Sequence, residues 1–260
     1  MFDYTRAWEN AGYSKDMGSA AFLPVPSSGF IRAYYFTSAK YGLSSIKDRR
    51  LKVARFSDAN DPFELLGLGL RDEETRTTVK NFKKNIDRDT GILCFTTNWT
   101  NPLMWSHYAE KHAGVCLGFD LKRESVHKVY YQEDRLMAKL KGNQDPFEID
   151  EELERRLRLT KSHHWEYEDE RRMFVTLADE IKVEDLYFRP FDEEMRLSEV
   201  ILGPRCRRQT EKFRDETMRT SPCAIVFRSR IAFGEFKVRL NGWDSDYIIK
   251  ALTTRPKDCI

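Results

Sequence analysis

The chain has no long apolar run: nothing in its 260 residues approaches the length needed to span a bilayer, so no membrane crossing is expected. Its start, Met1-Phe2-Asp3-Tyr4-Thr5-Arg6-Ala7-Trp8, lacks the basic-then-apolar layout of a signal peptide. Cysteine is sparse and odd in number: Cys94, Cys116, Cys206, Cys223 and Cys259, with no C-x-x-C pair. Reduced thiols in a cytoplasmic protein are the natural reading. No H-x-x-x-H or cysteine cluster has metal-ligand spacing, since His163 and His164 are adjacent. Neither G-x-x-x-x-G-K-[ST] nor G-x-G-x-x-G occurs, and Leu66-Gly67-Leu68-Gly69-Leu70 is too apolar and short to cradle a phosphate. Charge of one sign is also lacking. With 44 basic and 42 acidic residues the net charge is +2, so attraction to nucleic acid or membrane must come from local patches.

What is present is a polar globular chain, 40% apolar and 33% charged, long enough to bury a core. Residues 1–28, rich in Gly, Ser and Pro, read as an N-terminal arm. From residue 29 the pattern alternates strands and helices with no clear linker, which predicts a single α+β domain with a mixed or mainly antiparallel sheet flanked by helices. Strands are expected over 31–37, 51–56, 91–97, 115–121, 165–177, 199–204, 224–230 and 232–240. Ser38 is placed to cap a helix over 39–47. Asn101 and Pro102 are placed to start another that runs through His112 and stops at Gly114. Further helices are expected over 72–87, 150–159 and 207–218.

The densest chemistry is Trp165-Glu166-Tyr167-Glu168-Asp169-Glu170-Arg171-Arg172. As a strand it puts Glu166, Glu168, Glu170 and Arg172 on one face, and Trp165, Tyr167, Asp169 and Arg171 on the other. Neighbouring carboxylates repel, so at least one tends to take a proton, a cation or an arginine. The alternative is an exposed face of Glu–Arg cross-strand pairs. Met104-Trp105-Ser106-His107-Tyr108-Ala109 is a second candidate, with His107 as a base or donor and Trp105 and Tyr108 sharing a side of the helix. A nucleophilic Ser106–His107 pair is disfavoured, because adjacent helical residues point about 100° apart. The alternative is a core helix with His107 satisfied by a carbonyl. Asn60 and Asp61 read as turn formers before Pro62, whereas Glu64 lies beyond the turn and is not explained by it. Arg205, Arg207, Arg208, Lys212 and Arg214 read either as contacts to a phosphate backbone or as a solvated helix face.

Taken in order, a set of short motifs resembles an uncharacterised, mainly bacterial family catalogued as domain of unknown function 2971. The motifs are Tyr34-Tyr35-Phe36-Thr37-Ser38, Asn60-Asp61-Pro62-Phe63-Glu64, Cys94-Phe95-Thr96 and Met104–Ala109. They continue with Gly114–Asp120, Trp165–Arg172 and Val200–Pro204. Arg171 departs from the pattern, which usually has an aromatic there. A more distant likeness, carried by Tyr35-Phe36-Thr37 and Ser198-Glu199-Val200-Ile201-Leu202, is to DNA-modifying ADP-ribosyltransferases. In that superfamily an early His or Arg grips NAD, an aromatic stacks on nicotinamide and a late Glu supports the ribose; Tyr35 and Thr37 stand here where a His is usual.

That resemblance implies an NAD-consuming or ADP-ribosyl-transferring enzyme in a toxin or phage-defence setting, with a nucleotide substrate and nucleic acid as a candidate target. Glu168, Glu170 or Glu199 would then stabilise an oxocarbenium-like centre. Arg172 would hold the pyrophosphate, and Trp105 or Tyr108 would stack on a ring. Two other readings stay open. One is metal-dependent phosphodiester hydrolysis around Asp61, Glu168 and Glu170. The other is a non-catalytic module whose pocket is lined by Trp105, His107 and Arg172.

Overall fold

The computed structural model describes residues 26–69, 73–136, 149–254 and 259; most of the expected N-terminal arm lies outside them. The strands are β1 (Phe30–Thr37), β2 (Arg50–Val53), β3 (Thr90–Thr96), β4 (Val115–Lys122), β5 (His127–Lys128), β6 (Tyr130–Gln132) and β7 (Thr160–Ser162). They continue as β8 (Glu170–Thr176), β9 (Ile181–Val183), β10 (Leu186–Pro190), β11 (Met195–Leu202), β12 (Ile225–Ile231) and β13 (Val238–Leu240). Helices are α1 (Ala39–Asp48), α2 (Glu73–Asp89), α3 (Pro102–Tyr108), α4 (Glu151–Leu159), α5 (Thr210–Thr220) and α6 (Ser245–Thr254). The class is α+β with a mainly antiparallel main sheet. No helix among the described residues is long and apolar enough to cross a membrane.

The chain is divided between two compact units that it visits in turn. The first takes the described residues of Met1–Arg50, Phe95–Ser125 and Phe191–Ile260; the second takes those of Leu51–Cys94 and Val126–Pro190. In the first, the strand order is β13-β12-β11-β4-β1, followed by the end of β3. β1 and β11 flank β4 antiparallel, and β11–β12 is the parallel step. Helix α1 packs on this sheet at Gly42, where a Cβ would collide with Val115. Ser38 caps α1, its hydroxyl accepting from the Tyr41 N–H, as its position predicts. In the second unit β8 lies between the start of β3 and β5, beside a β2-β10-β9 sheet and a parallel β6–β7 pair. Among its described residues, apolar clusters include Leu68, Val79, Leu136 and Leu157, and Phe56, Leu65 and Ile92.

Five expectations are corrected, the first being the strand predicted over 232–240, which starts only at Val238 after a loop over residues 232–237. The strand predicted over 165–177 begins only at Glu170, because residues 163–168 form a 3-10 turn ended by Asp169 in the left-handed region, φ 42°. Asp tolerates that conformation better than most residues. Helix α3 stops at Tyr108 rather than His112, since Glu110, Lys111 and His112 all have positive φ (47°, 53° and 73°). The His112 N–H donates to the Trp105 carbonyl, and the His112 carbonyl accepts from the Arg205 N–H, which holds the loop in place. Strand β2 ends at Val53, before a 3-10 turn at Phe56–Asp58. Finally, Cys223 and Cys259 form a disulfide, with Cα atoms 5.2 Å apart. Reduced thiols are therefore found at Cys94, Cys116 and Cys206 alone. A separation of 36 residues gives no spacing signature to read.

Candidate functional site

Within the second unit the Asn60–Glu64 and Trp165–Arg172 motifs meet. Arg172, on β8, is buried, and all five of its N–H groups are engaged. Nη1 and Nη2 donate to the two Glu64 carboxylate oxygens at 2.6 and 2.9 Å. Nε and Nη2 donate to Glu170 at 2.8 and 3.2 Å, and Nη1 also reaches the Arg158 carbonyl at 2.7 Å. A guanidinium carries five donors, so none is left for a substrate pyrophosphate. The bidentate grip expected of Arg172 is spent on Glu64 instead.

The second cation is Lys161, on β7. Its Nζ donates to Glu168 at 2.5 Å and to Glu170 at 3.1 Å, and lies 4.9 Å from the centre of the Trp165 ring. β7 is fixed by its pairing with β6, where Tyr131 sits opposite Lys161. The Tyr131 hydroxyl in turn accepts from the Glu170 N–H at 2.8 Å. Three carboxylates (Glu64, Glu168, Glu170) thus share two cations, and the ionised set carries one negative charge in excess. Burial alone would raise the Glu170 carboxyl; Arg172 and Lys161 outweigh it and hold it down to about 2. Burial pulls Lys161 down, but Glu170 and Glu168 overcome this and keep it above the ordinary lysine range.

The network lies behind a cleft of about 260 Å³ whose lining includes Phe63, Gln132, Arg135, Thr160, Lys161 and Ser162. Lys161 is the member of the network that also lines the cleft. Phe63 is half exposed, and the Arg135 guanidinium sits 5.0 Å from its ring centre. Asp61 forms the turn expected of it, its Oδ1 accepting from the Phe63 N–H at 2.9 Å. Its buried Oδ2 has no hydrogen-bond partner among the described residues. Asn60 is exposed, and Trp165 and Tyr167 are half-buried with ring centres 6.2 Å apart. Glu166, expected to share the face of Glu168 and Glu170, is exposed because the 3-10 turn breaks the alternation. Among the described residues no group of three or more His, Cys, Asp or Glu side chains is arranged to hold a metal ion.

The remaining candidates belong to the first unit. Glu199 has no exposed surface; it accepts from Arg32 Nη1 at 2.6 Å. Arg32 also bonds Asp120, whose Oδ2 accepts from the Ser198 hydroxyl at 2.9 Å. The register shift in β11 between Leu197 and Glu199 marks a bulge at Ser198. Gly118 faces Glu199 and Tyr34, and a Cβ there would meet both at 3.0 Å. Trp105 is core: its Nε1–H donates to the Trp99 carbonyl at 2.6 Å and its ring packs edge-on to Phe36. Ser106 and His107 are exposed, and Tyr35, Thr37 and Tyr108 are half-buried, with Tyr35 against Phe95.

Lys161, Tyr131, Arg32 and Asp120 escape the sequence reading. Arg32 carries a usable signal, since it falls at the same parity of β1 as buried Tyr34 and Phe36, and a charge on an inward face demands a partner. Lys161 and Tyr131 carry none, because both lie on three-residue strands too short to show alternation.

No curated protein and no solved structure matches this chain. The family described as "Protein of unknown function (DUF2971)" matches residues 104–173. This stretch begins with Met104 in the first unit and ends beyond Arg172 in the second, short of Glu64 on one side and Glu199 on the other. Over residues 104–173, then, the chain is similar to that family of unknown function.

Proposed function

We propose that this protein is an enzyme acting on a phosphate-bearing nucleotide at the Lys161 cleft, with NAD as the substrate and its nicotinamide–ribose bond as the bond broken. The observation that carries the reading is the shared lysine. Lys161 lines the cleft while its ammonium group pairs with the two buried carboxylates behind it. A substrate phosphate drawing on that ammonium leaves Glu168 less compensated, because Glu170 retains Arg172. Glu168 then faces developing positive charge at the ribose C1′ from a site where water is scarce and electrostatic stabilisation is strong. The C1′–N bond electrons leave with neutral nicotinamide. Water or a target nucleophile adds to C1′ and gives up its proton, which Glu168 takes in this reading. Phe63 and Arg135 offer a stacking face and a second phosphate donor at the mouth.

The test is nicotinamide release from NAD by the purified protein, alone and with oligonucleotide or protein acceptors. Glu168→Gln and Lys161→Met should each lower turnover by about 100-fold or more, the usual cost of one electrostatic contact to a transition state. Both variants should still show a cooperative melt. An active Glu168→Gln variant, or wild-type protein that releases no nicotinamide with any acceptor, defeats the reading. An unaltered Km for NAD in Lys161→Met would remove the phosphate role from that residue.

A further inference from the structure

The hairpin of β12 and β13 ends in a loop, residues 232–237, that carries Phe233 and Phe236 at 94% and 98% exposure. Two bare phenyl rings at the tip of one hairpin are costly in water and form no part of a core. Their setting is strongly basic. Arg228, Arg230, Lys237 and Arg239 lie on or beside the hairpin, where Glu235 is the single acid of residues 228–240. The loop after β11 adds exposed Arg205, Arg207 and Arg208 with no acid over residues 203–209. It lies against the hairpin, since Arg228 Nη2 donates to the Cys206 carbonyl at 3.2 Å. Residues 203–209 and 228–240 together carry seven cations and one carboxylate, +6 in a chain whose net charge is +2, with Asp244 beside them accepting from the Arg228 N–H. The Arg230 guanidinium sits 4.5 Å from the Phe233 ring centre, a preformed cation–aromatic stack.

We infer that this hairpin binds single-stranded nucleic acid, with unpaired bases stacking on Phe233 and Phe236 and the phosphates following Arg205, Arg207, Arg208 and Arg230. Rings interleaved with cations are the chemistry that unpaired strands demand, whereas a duplex hides its base faces. An anionic membrane would use the same rings and charges. Against it stands Glu235, which lies between the two rings in sequence and pairs with Lys237 and Arg239, so that inserting both rings would bring a carboxylate and its two partners to the apolar phase as well. The inference is independent of the chemistry at Lys161.

Fluorescence anisotropy of a labelled oligothymidylate, its duplex with oligoadenylate, and sedimentation with phosphatidylserine vesicles separate the outcomes. The single strand should bind more tightly than the duplex. Phe233→Ala should weaken that binding at least fivefold, and Phe236→Ala by a similar factor, with unchanged melting because both rings are outside the core. Replacing Arg205, Arg207 and Arg208 with Gln should flatten the dependence of log Kd on log salt by about 0.7 per lost phosphate contact. Single-strand binding indifferent to both phenylalanines overturns the proposal. So does ring-dependent binding to vesicles without binding to the oligonucleotide, or the absence of oligonucleotide binding at low salt.

Discussion

Replacing Arg172 with Met should be among the most damaging single changes in the second unit, and the structure says why. The side chain has 1% exposure, and so has its main partner, the Glu64 carboxylate. Methionine fills much of the same volume, but it removes every donor that Glu64 receives from Arg172. Glu170 keeps Lys161 at 3.1 Å, so Glu64 is the group left most exposed to the cost. Breaking a buried ion pair by deleting one partner costs about 3–5 kcal/mol, out of a total stability of roughly 5–15 kcal/mol. Adding Glu64→Leu to Arg172→Met removes the stranded carboxylate and should restore more than half of the loss, because apolar replacement of a whole buried pair is often near neutral. Urea unfolding followed by far-ultraviolet circular dichroism measures each corner of the cycle. A loss below about 1 kcal/mol for Arg172→Met, or a double variant whose loss equals the sum of the two singles, would refute the claim that this pair is buried and coupled.

Three further outcomes follow from named contacts. The Glu170 carboxyl titrates at about 2 in the folded protein against 4.5 unperturbed, so its contribution is complete above pH about 4.5 and is lost as pH falls towards 2. That is roughly 3 kcal/mol, and Glu170→Gln should flatten this part of the acid unfolding curve; an unchanged curve would count against the pairing. Gly118→Ala sets a methyl 3.0 Å from both Glu199 Cβ and Tyr34 Cε1, and should destabilise by about 1–3 kcal/mol in thermal melts; an unchanged melting temperature would place that sheet face elsewhere. Intact mass under non-reducing conditions should be two hydrogens below the reduced value. Cys223→Ser should lower stability by up to about 4 kcal/mol, given closure across 36 residues; a full complement of five thiols by titration contradicts the bond.

Where local chemistry decides a boundary, the sequence was enough to find it. Asn101 caps α3 through the Leu103 N–H and Asp150 caps α4 through the Leu153 N–H, both beside periodic runs. Where a remote partner decides, it was not. The left-handed run Glu110–His112 is held by Trp105 and Arg205, so nothing in those three residues announces it. The acidic row was rightly suspected of needing a cation, yet it could not be read that one cation would be Lys161, from a short parallel strand, and that Arg172 would turn to a carboxylate 108 positions away. Trp105 and Glu199 looked like site residues because aromatic and acidic side chains are common in sites. Their burial follows from Trp99, Phe36 and Arg32, which composition cannot place beside them.

The alternating assignment of chain to the two units has a consequence for how the protein is made. On the ribosome, β1 and β4 emerge early, but the strand that flanks β4 on its other side, β11, begins at Met195. By then every residue of the second unit, which ends at Pro190, has already been synthesised. The later-numbered unit can therefore complete its fold first, while half-built β4 waits with an open edge. Chaperone capture or edge-to-edge aggregation should strike nascent chains halted between roughly Lys122 and Leu202 more than shorter or longer ones.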